Sequence, residues 1–170
     1  RSTYTSTREK NLTLNGISYQ VLKILESNGD TLSNTFHIIL DENGNYVFDV
    51  EEGFTLNRFR ADIYGQALID DLTEKQKKAT AEEMIEYLSG SKGFSIVLYG
   101  EDAYTNEELE AHHLPQQLTR QEILDLSIIR YELSTNSFKK YMSVTIATDV
   151  SEQSVAAIRS EERRVGKECR

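Results

Sequence analysis

The sequence predicts an α+β fold, with helices packed on a small, largely antiparallel sheet. Three observations carry that prediction. Apolar residues recur at helical spacing in several stretches, most clearly over Leu14–Leu25, Ala81–Leu88 and Leu124–Leu133. Two short apolar runs flank Asn43-Gly44, a strong hairpin signal. The composition, 38% hydrophobic and 28% charged over 170 residues, is that of a globular chain. A chain of that size can bury roughly 70% of its unfolded surface without disulfides.

Residues 1–10 are polar and carry no periodicity, so they read as a lead-in. Leu14, Ile17, Val21 and Leu25 then mark one helix, with Gln20, Lys23 and Glu26 on its other side. Asn28-Gly29-Asp30 supplies the residues that tolerate left-handed backbone after a helix. The runs Phe36–Leu40 and Tyr46–Val50 form the hairpin at 36–50. A three-residue loop, Glu42 to Gly44 with Gly44 left-handed, sets Phe36, Ile38 and Leu40 opposite Val50, Phe48 and Tyr46. That register gathers six large apolar side chains on one face, whereas a two-residue loop would put Ile38 opposite Asp49.

Residues from about 55 to 136 read as a helical insertion. Leu56, Phe59 and Ile63 mark a helix ending at Gly65. Thr73-x-x-Gln76 and Thr80-x-x-Glu83 are capping-box patterns, and Ala81, Met84, Ile85 and Leu88 form a stripe after the second. Ser89–Gly93 is a break, and Phe94–Tyr99 is a strand candidate. Residues 100–118 are acidic and read as irregular. Thr119-x-x-Glu122 opens the longest helix candidate, with Leu124, Ile128 and Tyr131 on one stripe and Leu126, Ile129 and Leu133 on another; Asn136 is its expected stop. Met142–Ala147 reads as a strand and Ser151–Ile158 as a further helix.

The closing segment Arg159–Arg170 resembles a translated sequencing-library adapter, and we expect it to be a non-native scar. It holds five basic and three acidic residues, so positions 1–158 carry 14 basic and 25 acidic residues, a net of −11 against −9 for the whole chain. Residue 1 is Arg rather than Met, and a fragment of a longer reading frame is expected. The single cysteine, Cys169, lies in the scar, which excludes a disulfide framework and a cysteine zinc site. So acidic a chain lacks the clustered cations that nucleic-acid binding needs. No apolar run reaches the roughly 20 residues of a membrane span.

Candidate chemistry is sparse. Asp41, Asn43, Asn45, Val47, Asp49 and Glu52 fit a calcium-loop spacing, but Tyr46 stands where that loop needs glycine. His112-His113, beside Glu108 and Glu110, has no third ligand suitably spaced. His37 reads as a half-exposed strand residue. Ser89-Gly-Ser-Lys92 and Ser137-Phe-Lys-Lys140 match Ser-x-x-Lys, and Ser134-Thr-Asn136 matches Ser-x-Asn. A serine nucleophile activated by lysine needs both on one helical turn. Ser89 instead sits at a glycine-punctuated helix end, and no Lys-Thr-Gly follows either match. We therefore assign no catalytic, cofactor-binding or metal-ligating residue, and expect no cofactor.

Three segments go further. Asn57-Arg-Phe-Arg-Ala-Asp-Ile-Tyr-Gly65, Leu72 through Leu88, and Leu118-Thr-Arg-Gln-Glu-Ile-Leu through Tyr141 running into Val144-Thr-Ile-Ala-Thr-Asp-Val-Ser-Glu-Gln-Ser-Val-Ala-Ala-Ile158 resemble class B penicillin-binding proteins. The likeness is to the N-terminal pedestal, or dimerisation, region and covers residues 11–158. It implies a non-catalytic module of a membrane-anchored, extracytoplasmic protein. The parent's separate serine D,D-transpeptidase domain would cross-link peptidoglycan stem peptides and bind β-lactams. The implied partners are the peptidoglycan synthesis machinery, through a polytopic glycosyltransferase, and a second copy in a homodimer. The chain lacks the family's anchor helix, its entry motif and the whole catalytic domain, so no catalytic residue carries over. The rival expectation is an independent acidic extracytoplasmic protein-interaction module.

Overall fold

The computed structural model describes residues 6–29, 32 and 35–135. Helices pack on a two-stranded antiparallel hairpin, an α+β arrangement. The strand at Met142–Ala147, the helix at Ser151–Ile158, the stop at Asn136, Ser137–Lys140 and the 159–170 segment lie outside the described residues.

Helix α1 spans Thr7–Ser27. It starts inside the expected polar lead-in because Ser6 caps it, accepting from the Glu9 amide at 3.1 Å. At 21 residues it is longer than the 15-residue α6, so among the described residues the longest helix is not the one expected. Its end matches the reading, with Asn28 as cap and Gly29 at φ 75°.

Strands β1 (Ile38–Leu40) and β2 (Tyr46–Phe48) pair in the expected register, Ile38 with Phe48 and Leu40 with Tyr46. Gly44 has φ 82°, the left-handed value that the three-residue loop requires. Phe36, Ile38 and Tyr46 are buried on the inner face, Leu40, Phe48 and Val50 pack at its rim, and Ile39 points outward.

Helix α2 spans Phe54–Ile63, α3 Glu74–Lys77 and α4 Ala81–Ser89. Both predicted capping boxes form: Thr73 with Gln76, and Thr80 with Glu83. Every member of the Ala81, Met84, Ile85, Leu88 stripe is buried. Helix α5 spans Asn106–Ala111 within the stretch read as irregular. A third box, Thr105 with Glu108, opens it and was the signal that stretch contained.

Helix α6 spans Arg120–Ser134 behind the box Thr119 with Glu122, and Thr135 caps its end. Its two stripes serve two clusters. Leu124, Ile128 and Tyr131 join Phe36, Ile38, Tyr46, Leu56, Phe59, Ile63, Met84, Ile85 and Leu88 in the main core. Ile129 and Leu133 pack on Ile17, Val21, Leu22 and Leu25 of α1. Phe36 links the layers, edge-on to Phe59 at 5.0 Å and to Tyr131 at 6.0 Å. Burying each large apolar side chain stabilises the fold by roughly 1.5–3 kcal/mol, so α6, apolar on two sides, is the wall on which the rest assembles.

Phe94–Tyr99 is not a strand. Its amides turn back onto the end of α4: Phe94 N donates to Leu88 O at 2.6 Å, and Ile96 and Val97 N to Ser89 O at 2.8 and 2.9 Å. Ser95 is left-handed at φ 52°. With those donors used on helix-end carbonyls, no ladder can form.

Candidate functional site

Four arginines, each laid against an aromatic ring, tie the elements together, two of them from inside the core and two from the surface. On α6, Arg130 is 5% exposed. Its Nη2 donates to Asn11 Oδ1 at 3.0 Å, and its Nη1 to Phe94 O at 3.2 Å and to Asn15 Oδ1. Asn15 Nδ2 in turn donates to Ser95 O at 3.0 Å, and Tyr104 Oη donates to the same carbonyl at 2.6 Å. The guanidinium carbon lies 4.8 Å from the Phe94 ring centre. Asn11 and Asn15 are one helical turn apart on the inward side of α1, which is why both reach one guanidinium. The network satisfies the inward carbonyls that the 94–95 loop would otherwise leave unpaired.

Arg60 is built alike. It is 2% exposed and donates twice to Ala79 O, at 2.9 and 3.2 Å. It also makes a two-pronged bond to Glu52, at 2.9 and 3.0 Å, beneath the Phe48 ring. This holds α2 to the loop before α4. The Arg60 guanidinium keeps the Glu52 carboxyl below its ordinary pKa.

Arg8 and Arg120 close the outside. Arg8 grips Glu108 at 2.7 and 2.8 Å and donates to the carbonyls of Asp102 and Ala103, over the Tyr104 ring. The Arg8 hydrogen bonds hold the Glu108 carboxyl down at about 2. Arg120 donates to Gly44 O at 2.8 Å and to Glu82, with its carbon 4.1 Å from the Tyr46 ring centre. Tyr46 Oη donates to Arg120 O at 2.7 Å. Burial pushes the Tyr46 hydroxyl up to about 12. The hairpin is thereby tied to the start of α6.

The residues weighed for chemistry fall apart from one another. Ser89 is the last residue of α4, and Gly90 turns the chain extended, so Lys92 lies past the break rather than one helical turn on. Both border an open depression of about 860 Å³ beside Tyr87, Tyr99 and Arg120. Asp41 Oδ1, first in the calcium-loop spacing, accepts the amides of Asn43 and Asn45, both at 2.9 Å. It is a turn-forming carboxylate within a hairpin. His112 caps α5 and His113 follows it with φ 61°. His37 is half-buried; its Nδ1 lies 3.0 Å from Asp49 Oδ1, and its ring stands edge-on to Phe59. Among the described residues, no group of three or more His, Cys, Asp or Glu could hold a metal ion. Among them, too, no helix is long and apolar enough to cross a membrane.

No catalytic or metal-ligand motif in the sequence points to these arginines. One signal was available: Arg130 sits directly after Ile128-Ile129, between the two apolar stripes of α6. A charge there must be paired inside. Comparison with family models, with curated proteins and with solved structures finds no match to this chain.

Proposed function

We propose that this chain is the non-catalytic pedestal region of a class B penicillin-binding protein, the part that holds a serine D,D-transpeptidase in position for peptidoglycan cross-linking. One observation carries the reading. The described segments with the family likeness, 57–65, 72–88 and 118–134, contain α2, α3–α4 and α6, and the apolar faces of α2, α4 and one stripe of α6 meet in one core around the hairpin. A segment whose role is to hold another domain needs rigidity rather than a reactive group. The buried arginines supply it by locking loops to helices.

On this reading the chain works at the extracytoplasmic face of the cell membrane and partners a polytopic glycosyltransferase. The parent protein, not this segment, binds β-lactams. A fluorescent penicillin tests the division of labour: the 170-residue chain stays unlabelled after denaturing electrophoresis. Stoichiometric labelling at Ser89 or Ser137 would overturn it.

A further inference from the structure

Between the 96–99 run, α5 and the start of α6 lies a cavity of about 360 Å³ that the core packing leaves open. Leu114 and Leu126 are its buried lining, yet neither belongs to the two apolar clusters. Leu98, Leu109, Leu118 and Ile123 line it half-buried, and Gln116 and Gln117 are exposed at its mouth. Tyr99, 80% exposed, lines both this cavity and the larger depression beside Arg120. The other polar side chains of the lining are already engaged: Asn15 Nδ2 and Tyr104 Oη both donate to Ser95 O. Whatever enters must therefore be apolar. The walls, by contrast, are acidic on the outside. Glu101, Glu107 and Glu110 stand exposed there, and none makes an ion pair among the described residues. The neighbouring Arg8 and Arg120 are held by Glu108 and Glu82.

We propose that this cavity is a docking site for a basic segment of a partner protein with an apolar anchor. One or two large apolar side chains enter the cavity, Tyr99 packs beside them, and flanking lysines or arginines meet Glu101, Glu107 and Glu110. The volume sits at the low end of the roughly 300–1,000 Å³ typical of binding pockets, which suits side chains rather than a whole helix. A few anchors in a pocket, ringed by weaker polar contacts, is how most binding energy at protein interfaces is concentrated. Charge complementarity selects the occupant. A second copy of this chain would bring a net charge of −9 to an acidic face, and an anionic membrane surface is repelled likewise. A cationic segment is drawn in, and its apolar anchor supplies what the cavity lacks. The partner's chemistry follows from these residues alone, whichever parent the chain belongs to.

The test uses the full 170-residue chain and the synthetic peptide Lys-Lys-Leu-Phe-Lys-Lys, followed by methyl NMR and fluorescence anisotropy. The methyl signals of Leu98, Leu109, Leu118 and Ile123 should shift saturably, while those of Ile17 and Val21 on α1 stay in place. Exchanging the peptide's Leu-Phe for Ser-Ser, or its lysines for glutamates, should each weaken binding by about tenfold or more. Tyr99→Ala, and separately the combination of Glu101→Gln, Glu107→Gln and Glu110→Gln, change only exposed side chains and should each weaken it several-fold. Cavity methyls that do not respond to the peptide at millimolar concentration overturn the proposal. Equal binding of the Ser-Ser peptide overturns it too, by reducing the contact to diffuse charge attraction, and equal binding of the glutamate peptide removes the charge selection. Cavity methyls that shift with protein concentration alone would make the occupant a second copy. Capture on phosphatidylglycerol vesicles that Tyr99→Ala abolishes would make it a lipid surface. Either result would also overturn the proposal.

Discussion

Arg130 of α6 donates to the side-chain oxygen of Asn11 on α1 across 3.0 Å, with both side chains buried. Through Asn15 and Phe94 O the same guanidinium also holds the loop that follows α4. A cation in an acidic chain has thus been placed inside, as the shared donor for three elements. Its planar fork suits that task, and a lysine ammonium does not.

Replacing Arg130 with Met should therefore destabilise the chain by about 3 kcal/mol or more, because several buried acceptors lose their donor and each costs roughly 1–3 kcal/mol. Arg130→Lys should recover only a minor part. Urea unfolding of both variants measures this, and a lysine variant as stable as the wild type would contradict the shared-donor account.

Tyr46 should be a smaller but cleaner probe. Tyr46→Phe keeps the ring under Arg120 and removes only the 2.7 Å bond to Arg120 O. A loss of about 1 kcal/mol is expected for one such bond. A Phe variant indistinguishable from the wild type would show that the hydroxyl does not tie the hairpin to α6.

At Gly16, α1 runs close against the turn after α5. A Cβ built there would lie 2.4 Å from His112 O and 3.2 Å from His112 Cβ. Overpacking of that kind costs about 1–3 kcal/mol, against about 1 kcal/mol that alanine adds through helix propensity. Gly16→Ala should lower the thermal midpoint, and a raised midpoint would mean that the turn yields.

Glu108 contributes to the acid side of stability. Its folded pKa is lowered from 4.5 to about 2, so the stabilisation it provides is present above pH 4.5 and lost as pH falls through 2. Glu108→Gln should be less stable than the wild type at pH 7, and the difference should close on acidification between those values. A difference that stays constant from pH 5 to pH 2 would contradict the Arg8–Glu108 pairing. Thr105→Ala, which removes the cap of the same helix, should cost about 1 kcal/mol at neutral pH.

Much of the fold was legible because its signals are local. Asn43-Gly44 with its flanking alternation specifies the loop length and so the register of Ile38 against Phe48. Thr73, Thr80 and Thr119 each announce a helix three residues before the acid or amide that completes the cap. The α5 helix carried the same signature at Thr105 but lies among acidic residues without an apolar stripe, so periodicity was silent there. Phe94–Tyr99 misled because a short apolar run reads alike in a strand or a buried loop. What decided it was the end of α4, whose carbonyls took the run's amides. The place of Arg130 between the apolar stripes of α6 marks it as buried, but its partners are illegible because they are distant in sequence: Arg130 and Asn11 stand 119 residues apart, and no spacing rule connects them.

The central claim is that this chain is a pedestal for a transpeptidase domain, and the reading frame around it in the source genome tests that most directly. The account predicts an apolar stretch of about 20 residues upstream, then, well beyond Ile158, a Ser-x-x-Lys, a Ser-x-Asn and a Lys-Thr-Gly in that order. An in-frame stop codon soon after Ile158 would contradict it.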